Sequence, residues 1–317
     1  MALVERLAVV DKPAQDTKFL GQLLWYTVTD LEITRNELEQ IFSSVGLDQA
    51  HLPNEIKPVD AFRRATSAAE AKRLPHAKDQ FINLLVREVR SDDSEVVRHL
   101  VREVVDSNNV RLHYQEVATL SLSRGDGKMK VFPWPPATEA ERTACHEAQV
   151  LYEKFRQSYN GRHLREVVHD ILETTGPVAV RPSGGVYFVP QQHEATIEKL
   201  KALVERLANY GTTGQRSKLY TVPVIDLVEQ RKMVEESLVD QVGKESHGII
   251  AEAAEILKSG KKVTTSLAQG LAERTRKLAG LTAQYEELLE QELTTVRSTL
   301  ELARLQATAL LGKVDVA

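Results

Sequence analysis

A chain of 317 residues with 42% hydrophobic and 27% charged side chains has the composition of a folded protein, which excludes wholesale disorder; its length allows two domains, or one domain with a long helical appendage. The net charge is −4 at pH 7, and neither the first 223 residues nor the remainder is basic, so the positive field that general nucleic-acid binding needs is missing. Cys145 is the one cysteine, which excludes an intramolecular disulfide; Glu5, Arg6 and Asp11 interrupt the apolar N-terminal stretch, and no window nears about 18 apolar residues, so a reducing cytoplasm without membrane contact is the expected home.

Residues 1–80 read mainly as helices and loops. Leu20, Leu23, Leu24, Tyr26 and Val28 cluster around Trp25. Thr34 and Glu37 have the spacing of a capping box, Leu38, Ile41, Phe42 and Val45 fall on one helical face, and Gly46 is placed to end that helix. Pro53 and Pro58 mark a loop, after which Asp60 is a candidate cap for a helix from Ala61 to about Arg73.

Residues 81–222 read as an α+β region with antiparallel hairpins. The valine-rich run Val96–Val105 fits either a strand or a helix. Val110–Val117 alternates with period two, and Gly125-Asp126-Gly127 reads as the turn before a return strand containing Met129, Val131 and Phe132, giving three or four strands. Pro133-Trp134-Pro135-Pro136 stops the sheet. Helices are predicted from about Thr138 to Tyr159 and from Arg162 to Thr174. Val178–Val180 and Val186–Pro190 flank Pro182-Ser183-Gly184-Gly185 as a β-hairpin. A helix over Glu194–Asn209 carries the stripe Ile197, Leu200, Leu203, Val204 and Leu207, and Leu219–Val224 reads as a short strand.

Residues 223–317 read as long amphipathic helical arms. Aromatics are scarce, and after Val224 only Tyr285 remains, so packing there is expected to be thin and built from aliphatic side chains. The stripe includes Leu227, Leu238, Ile249 and Ile256 on one arm, then Leu271, Leu278, Tyr285, Leu293, Val296 and Leu300 on the other. Its spacing is near-heptad, with a one-residue slip around Tyr285–Leu289. Lys258–Lys262 is the predicted tip. An unbroken arm over 262–312 would be about 75 Å long at about 1.5 Å per residue. A small head cannot cover such a stripe, so it predicts an antiparallel partner arm, a second subunit, or both. The predicted class is therefore α+β: a globular part with antiparallel strands and helices, then a long, coiled-coil-like C-terminal helical hairpin, and a homo-oligomer.

Recognisable catalytic patterns are missing. Ser259-Gly260-Lys261-Lys262 and Gly211-Thr212-Thr213-Gly214 lack the spacing of a phosphate-cradling loop, no G-x-G-x-x-G opens a helix after a strand, and no cofactor is predicted. Cys145 and His146 are adjacent on a predicted helix and point apart, and His163 and His169 do not share a face, so neither a metal site nor a thiol–imidazole pair is predicted. His99 and His113 fall in strand-like runs. Asp92-Asp93 and Glu286-Glu287 read as solvated pairs, and no G-x-S-x-G elbow surrounds a serine.

The hairpin Val180-Arg181-Pro182-Ser183-Gly184-Gly185-Val186-Tyr187-Phe188-Val189-Pro190 followed by a long helical tail resembles an uncharacterised bacterial and phage family. The resemblance implies relatives near genes for a MoxR-type AAA+ ATPase and a von Willebrand A-domain protein, hence a cytoplasmic accessory of an ATPase machine, and it implies no catalytic residues. The leading expectation is a non-enzymatic assembly or adaptor protein that self-associates through its C-terminal helices, with Arg181, Tyr187, Lys261 and Lys262 as partner-binding candidates. The alternatives are a nucleic-acid-associated protein using Arg181, Lys258, Lys261 and Lys262, and an enzyme of unfamiliar type around Cys145 and the histidines.

Overall fold

The computed structural model describes residues 17–181, 183–259 and 263–312. It opens with β1 (Phe19–Thr27), in which Leu20 and Leu24 are buried. Gly21 is required there, because a Cβ would sit 2.1 Å from the Val189 carbonyl oxygen of a neighbouring strand. β2 (Glu32–Thr34) leads into α1 (Arg35–Val45) through the predicted capping box: the Thr34 amide donates to Glu37 Oε2 at 2.9 Å, and the Glu37 amide donates to Thr34 Oγ1 at 3.4 Å. Gly46 ends the helix in the left-handed region at φ 72°.

α2 (Pro58–Ala68) begins at Pro58 rather than at the predicted cap Asp60, since the missing N–H of proline costs nothing in a first helical turn. It also stops short of Arg73. Glu70 accepts the Val86 amide at 2.8 Å, and the chain enters β3 (Ala71–Ala77). The expectation of helices and loops over residues 1–80 is thus corrected at 19–27 and 71–77, which are strands. β4 (Gln80–Ser91), β5 (Glu95–Asp106), β6 (Arg111–Ser123) and β7 (Met129–Pro133) complete a five-stranded antiparallel meander in the order β3-β4-β5-β6-β7. The ambiguous run Val96–Val105 is its central strand. Alternate side chains go to opposite faces, and β-branched residues fit the pleat.

α3 (Glu139–Gln157), capped by Thr138, is followed by β8 (Ser158–Asn160), which pairs with β2, and by α4 (Gly161–Glu173), capped by Asn160. β9 (Val178–Ala179) and β10 (Tyr187–Pro190) are the two arms of the predicted hairpin. α5 (Glu194–Leu207) and β11 (Lys218–Ile225) close the head, and α6 (Val228–Ser259), α7 (Thr265–Leu289) and α8 (Thr294–Leu311) form the tail. The chain is α+β, as its patterning predicts.

Three apolar cores organise these elements. The four-stranded sheet β11-β1-β10-β9 packs one face against α1, α4 and α5, through Leu24, Val189 and Leu219. Its other face, with Leu20, Val178, Phe188 and Val224, joins the core of the three tail helices. The meander has its own core against α2 and α3, built around Phe62, Leu84, Leu100, Leu120 and Tyr152.

The tail differs from a two-arm hairpin in one respect. The return arm breaks at Glu290, which adopts φ 54°, and reverses within four residues. Glu286 closes the corner: its carboxylate accepts the Leu293 amide at 2.8 Å and Arg297 at 2.6 Å. α6 and α7 run antiparallel, tied by Arg231 to the Leu289 carbonyl at 2.7 Å and by Arg274 to Glu252 at 2.7 Å, and α8 folds back to pack on both. Among the described residues no helix is long and apolar enough to cross a membrane.

Candidate functional site

The expected oligomer rests on the stripe residues. Leu238, Ile249, Leu271, Leu278, Tyr285, Leu293, Val296 and Leu300 are all buried inside one chain, and Ile256 packs against the same core half-buried. Leu227 is the exception: it precedes α6 and is 53% exposed. The stripe therefore faces itself. A side chain of this kind contributes about 1.5–3 kcal/mol when it leaves water, and here that contribution is already made without a second subunit. Of the alternatives that the stripe left open, the partner arm within the same chain is the one present, and burial of the stripe does not by itself call for a second subunit.

The partner-binding candidates do not converge. Arg181 is exposed beside the hairpin turn, where its carbonyl accepts the Gly184 amide at 2.8 Å. Tyr187 is half-buried against the core under α5. Lys261 and Lys262 lie outside the described residues. Lys258 is exposed.

Cys145 is buried on the meander side of α3, and burial, with Glu141 nearby, pushes its thiol up to about 11. A thiol held in its protonated form is a poor nucleophile. His146 points to solvent on the other side of the helix. His163 serves locally: its Nδ1 accepts the Asn160 amide at 3.2 Å at the start of α4, and burial lowers its pKa. His169 stands beside Glu173 on the exposed side of the same helix, at 3.7 Å. Among the described residues no group of three or more His, Cys, Asp or Glu side chains is placed to hold a metal ion.

Two clefts of about 670 Å³ flank the tail. One, between α4 and the tail, sets Asp170, Glu173 and Glu245 against Arg274 and Lys277, with burial raising the Glu245 carboxyl. The other runs between α7 and α8 over Ala272, Ala279 and Ala307.

The most differentiated surface is the face of the meander turned away from α2 and α3. Even-numbered residues of β4 and β5 meet those helices, so odd-numbered ones take the other face: Phe81, Asn83, Leu85 and Arg87, paired with Val105, Glu103, Val101 and His99, of which Leu85, Val101 and Val105 are buried and the exposed groups lie around them. The rows continue across the sheet. Glu103 pairs with Tyr114, and His99 with Thr119, which pairs with Phe132. Phe132 is 53% exposed, Tyr114 45% and Trp134 42%. The Trp134 amide donates to the Val117 carbonyl at 2.8 Å, extending the edge beyond β7, and its ring meets His99 edge-on with centroids 5.8 Å apart.

Cations are interleaved with these rings. The Arg73 guanidinium lies 4.3 Å from the Phe81 centroid, held by Asn109 at 2.9 Å, and Arg111 lies 5.2 Å from that of Tyr114. Glu103 accepts Asn83 at 3.1 Å and Arg111 at 2.6 Å; these bonds hold its carboxyl below the usual range against the opposing effect of burial. Glu116 lies 3.1 Å from His99 Nδ1 without hydrogen-bond alignment. Among the described residues Arg73, Arg87 and Lys130 make no ion pair, although Arg87 is near enough to Glu103 to help hold its carboxyl low.

Sequence reasoning missed this surface. Tyr114 and Phe132 stand in the predicted strands, but the signal lies in the outward positions taken together, where aromatics and arginines replace the polar residues of an ordinary solvated face. Assembling that set requires the register of five strands.

No curated protein and no solved structure matches the chain. A family model does, over residues 19–316. The chain therefore belongs to the family of unknown function DUF6744.

Proposed function

We propose that this protein is a non-enzymatic adaptor that links a target held by its head to a larger machine contacted by its tail, the machine being a MoxR-type AAA+ ATPase with its von Willebrand A-domain companion. The observation that carries the reading is the division of surfaces. The stripe is enclosed, the meander leaves one aromatic and cationic face uncovered, and α8 turns Leu302 and Leu305 to solvent on the side away from its core, each more than half exposed. Exposed large aliphatic side chains in sequence on one helical face favour a protein contact. Cys145 supports the non-enzymatic part, because the one thiol is buried and kept protonated. Assembly in this reading runs between different proteins rather than between copies.

The test is to mix the full chain with the MoxR-type ATPase and the von Willebrand A-domain protein of its own genome and to measure complex formation by light scattering after size exclusion. A complex with at least one of them, weakened about tenfold or more by Leu302→Glu with Leu305→Glu, is the expected result. No complex with either, or one indifferent to both substitutions, would overturn the reading.

A further inference from the structure

We propose that the uncovered face of the five-stranded sheet binds single-stranded nucleic acid; this rests on reading the head as the part that holds a target. Any base presents a π-face, so a platform of exposed rings and flat guanidinium groups suits strands of many sequences. Phe132 and Trp134 offer free ring surface at the β7 side. The arginines stacked on Phe81 and Tyr114 offer planar cations at the opposite end. From Arg87 on β4 to Phe132 on β7 is three strand spacings, about 14 Å, and platforms of this kind take two or three stacked bases.

The charge pattern selects this occupant over an apolar protein surface. Glu103 is matched by Arg111 and Asn83, while Arg73, Arg87 and Lys130, which make no ion pair, outnumber the remaining carboxylate of Glu116. The unmatched charge on the face is therefore positive on a chain whose net charge is −4, and it lies where rings are exposed. The same balance sets the mode of binding. With only a few free cations, stacking carries more of the affinity than phosphate neutralisation, so the salt dependence is shallow. An open sheet face also has no helix or ribbon to enter a duplex groove, so paired strands bind worse.

Fluorescence anisotropy on the full chain tests this, with labelled oligothymidylate and oligouridylate of about 20 nucleotides as separate DNA and RNA probes. Saturable binding of at least one probe is expected, with a smaller effect of raising salt from about 50 to 200 mM than a many-phosphate binder shows, and with a matched duplex a poor competitor. Phe132→Ala and Trp134→Ala should each weaken binding about 5- to 100-fold. Arg87→Glu and Lys130→Glu should weaken it as well, while Phe132→Tyr largely preserves it. Each altered side chain is exposed, so circular dichroism and thermal unfolding should stay unchanged and a lost signal cannot be assigned to misfolding. Absence of saturable binding to both probes, or binding that survives Phe132→Ala and Arg87→Glu together, would overturn the proposal. The adaptor reading fails separately, through the α8 substitutions, which leave this sheet intact.

Discussion

Tyr285 joins the tail to the head. Its ring is buried against Phe188, with centroids 6.1 Å apart, and its hydroxyl donates to the Gly176 carbonyl at 2.9 Å. Tyr285→Phe removes the bond to that half-buried carbonyl and should cost roughly 0.5–1.5 kcal/mol in urea unfolding. A Cβ on Gly176, which has φ 60°, would lie 2.7 Å from Gln284 Oε1, so the acceptor side of the joint tolerates little change. Glu286 makes part of the tail's stability depend on pH. Arg297 foremost, and also the Leu293 amide, lower its pKa in the folded state. A group whose folded pKa is depressed contributes fully above its unfolded value, near 4.3, and loses that contribution as pH falls through the folded one. Stability measured from about pH 6 downward should therefore decline through the acid range, and Glu286→Gln should flatten part of that decline. The capping box of Thr34 with Glu37 was legible at this scale, because the two act within four residues of chain. The Arg231 bond to the Leu289 carbonyl was not, since its partners are 58 residues apart.

Among elements, β6 and β7 of the meander were legible, because β6 alternates and a glycine turn joins them, whereas β5 stayed ambiguous and β3 and β4 were not read. β1 was not. Leu23, Leu24 and Tyr26 crowd together because this part of the strand packs on both faces, against the head helices on one side and the tail core on the other, while the exposed Trp25 stacks on Tyr220. A strand buried twice loses the period-two signature. The close approach of β10 at Gly21 makes the same point energetically: Gly21→Ala should destabilise by roughly 2–3 kcal/mol, because the clash is with backbone that cannot swing aside. The corner between α7 and α8 offers the opposite case. Glu290 holds a left-handed conformation that a residue with a Cβ adopts at a cost, so Glu290→Gly should stabilise by roughly 0.5–1 kcal/mol, read as a raised urea midpoint at unchanged slope. The slip in the apolar spacing at Tyr285–Leu289 falls in the last turn of α7 and marked the irregularity. The reversal itself had no glycine or proline to announce it.

For the molecule as a whole, the reversal decides where the tail's apolar surface goes. An unbroken return arm would outreach the head, whereas helices of 25 and 18 residues, about 37 and 27 Å long, both fit along the 32-residue α6. The stripe was legible as packing surface. Its partner was not, because spacing along a helix identifies an apolar face without saying whether the covering helix comes from the same chain. The missed sheet face has a related cause, since register over five strands is a long-range property. The most direct measurement is the mass of the full chain by light scattering across the micromolar range. A constant value near 35.5 kDa is expected, unchanged by salt. A stable dimer or larger species that dissociates when Leu300 or Val296 is made polar, with the helices still formed, would contradict it.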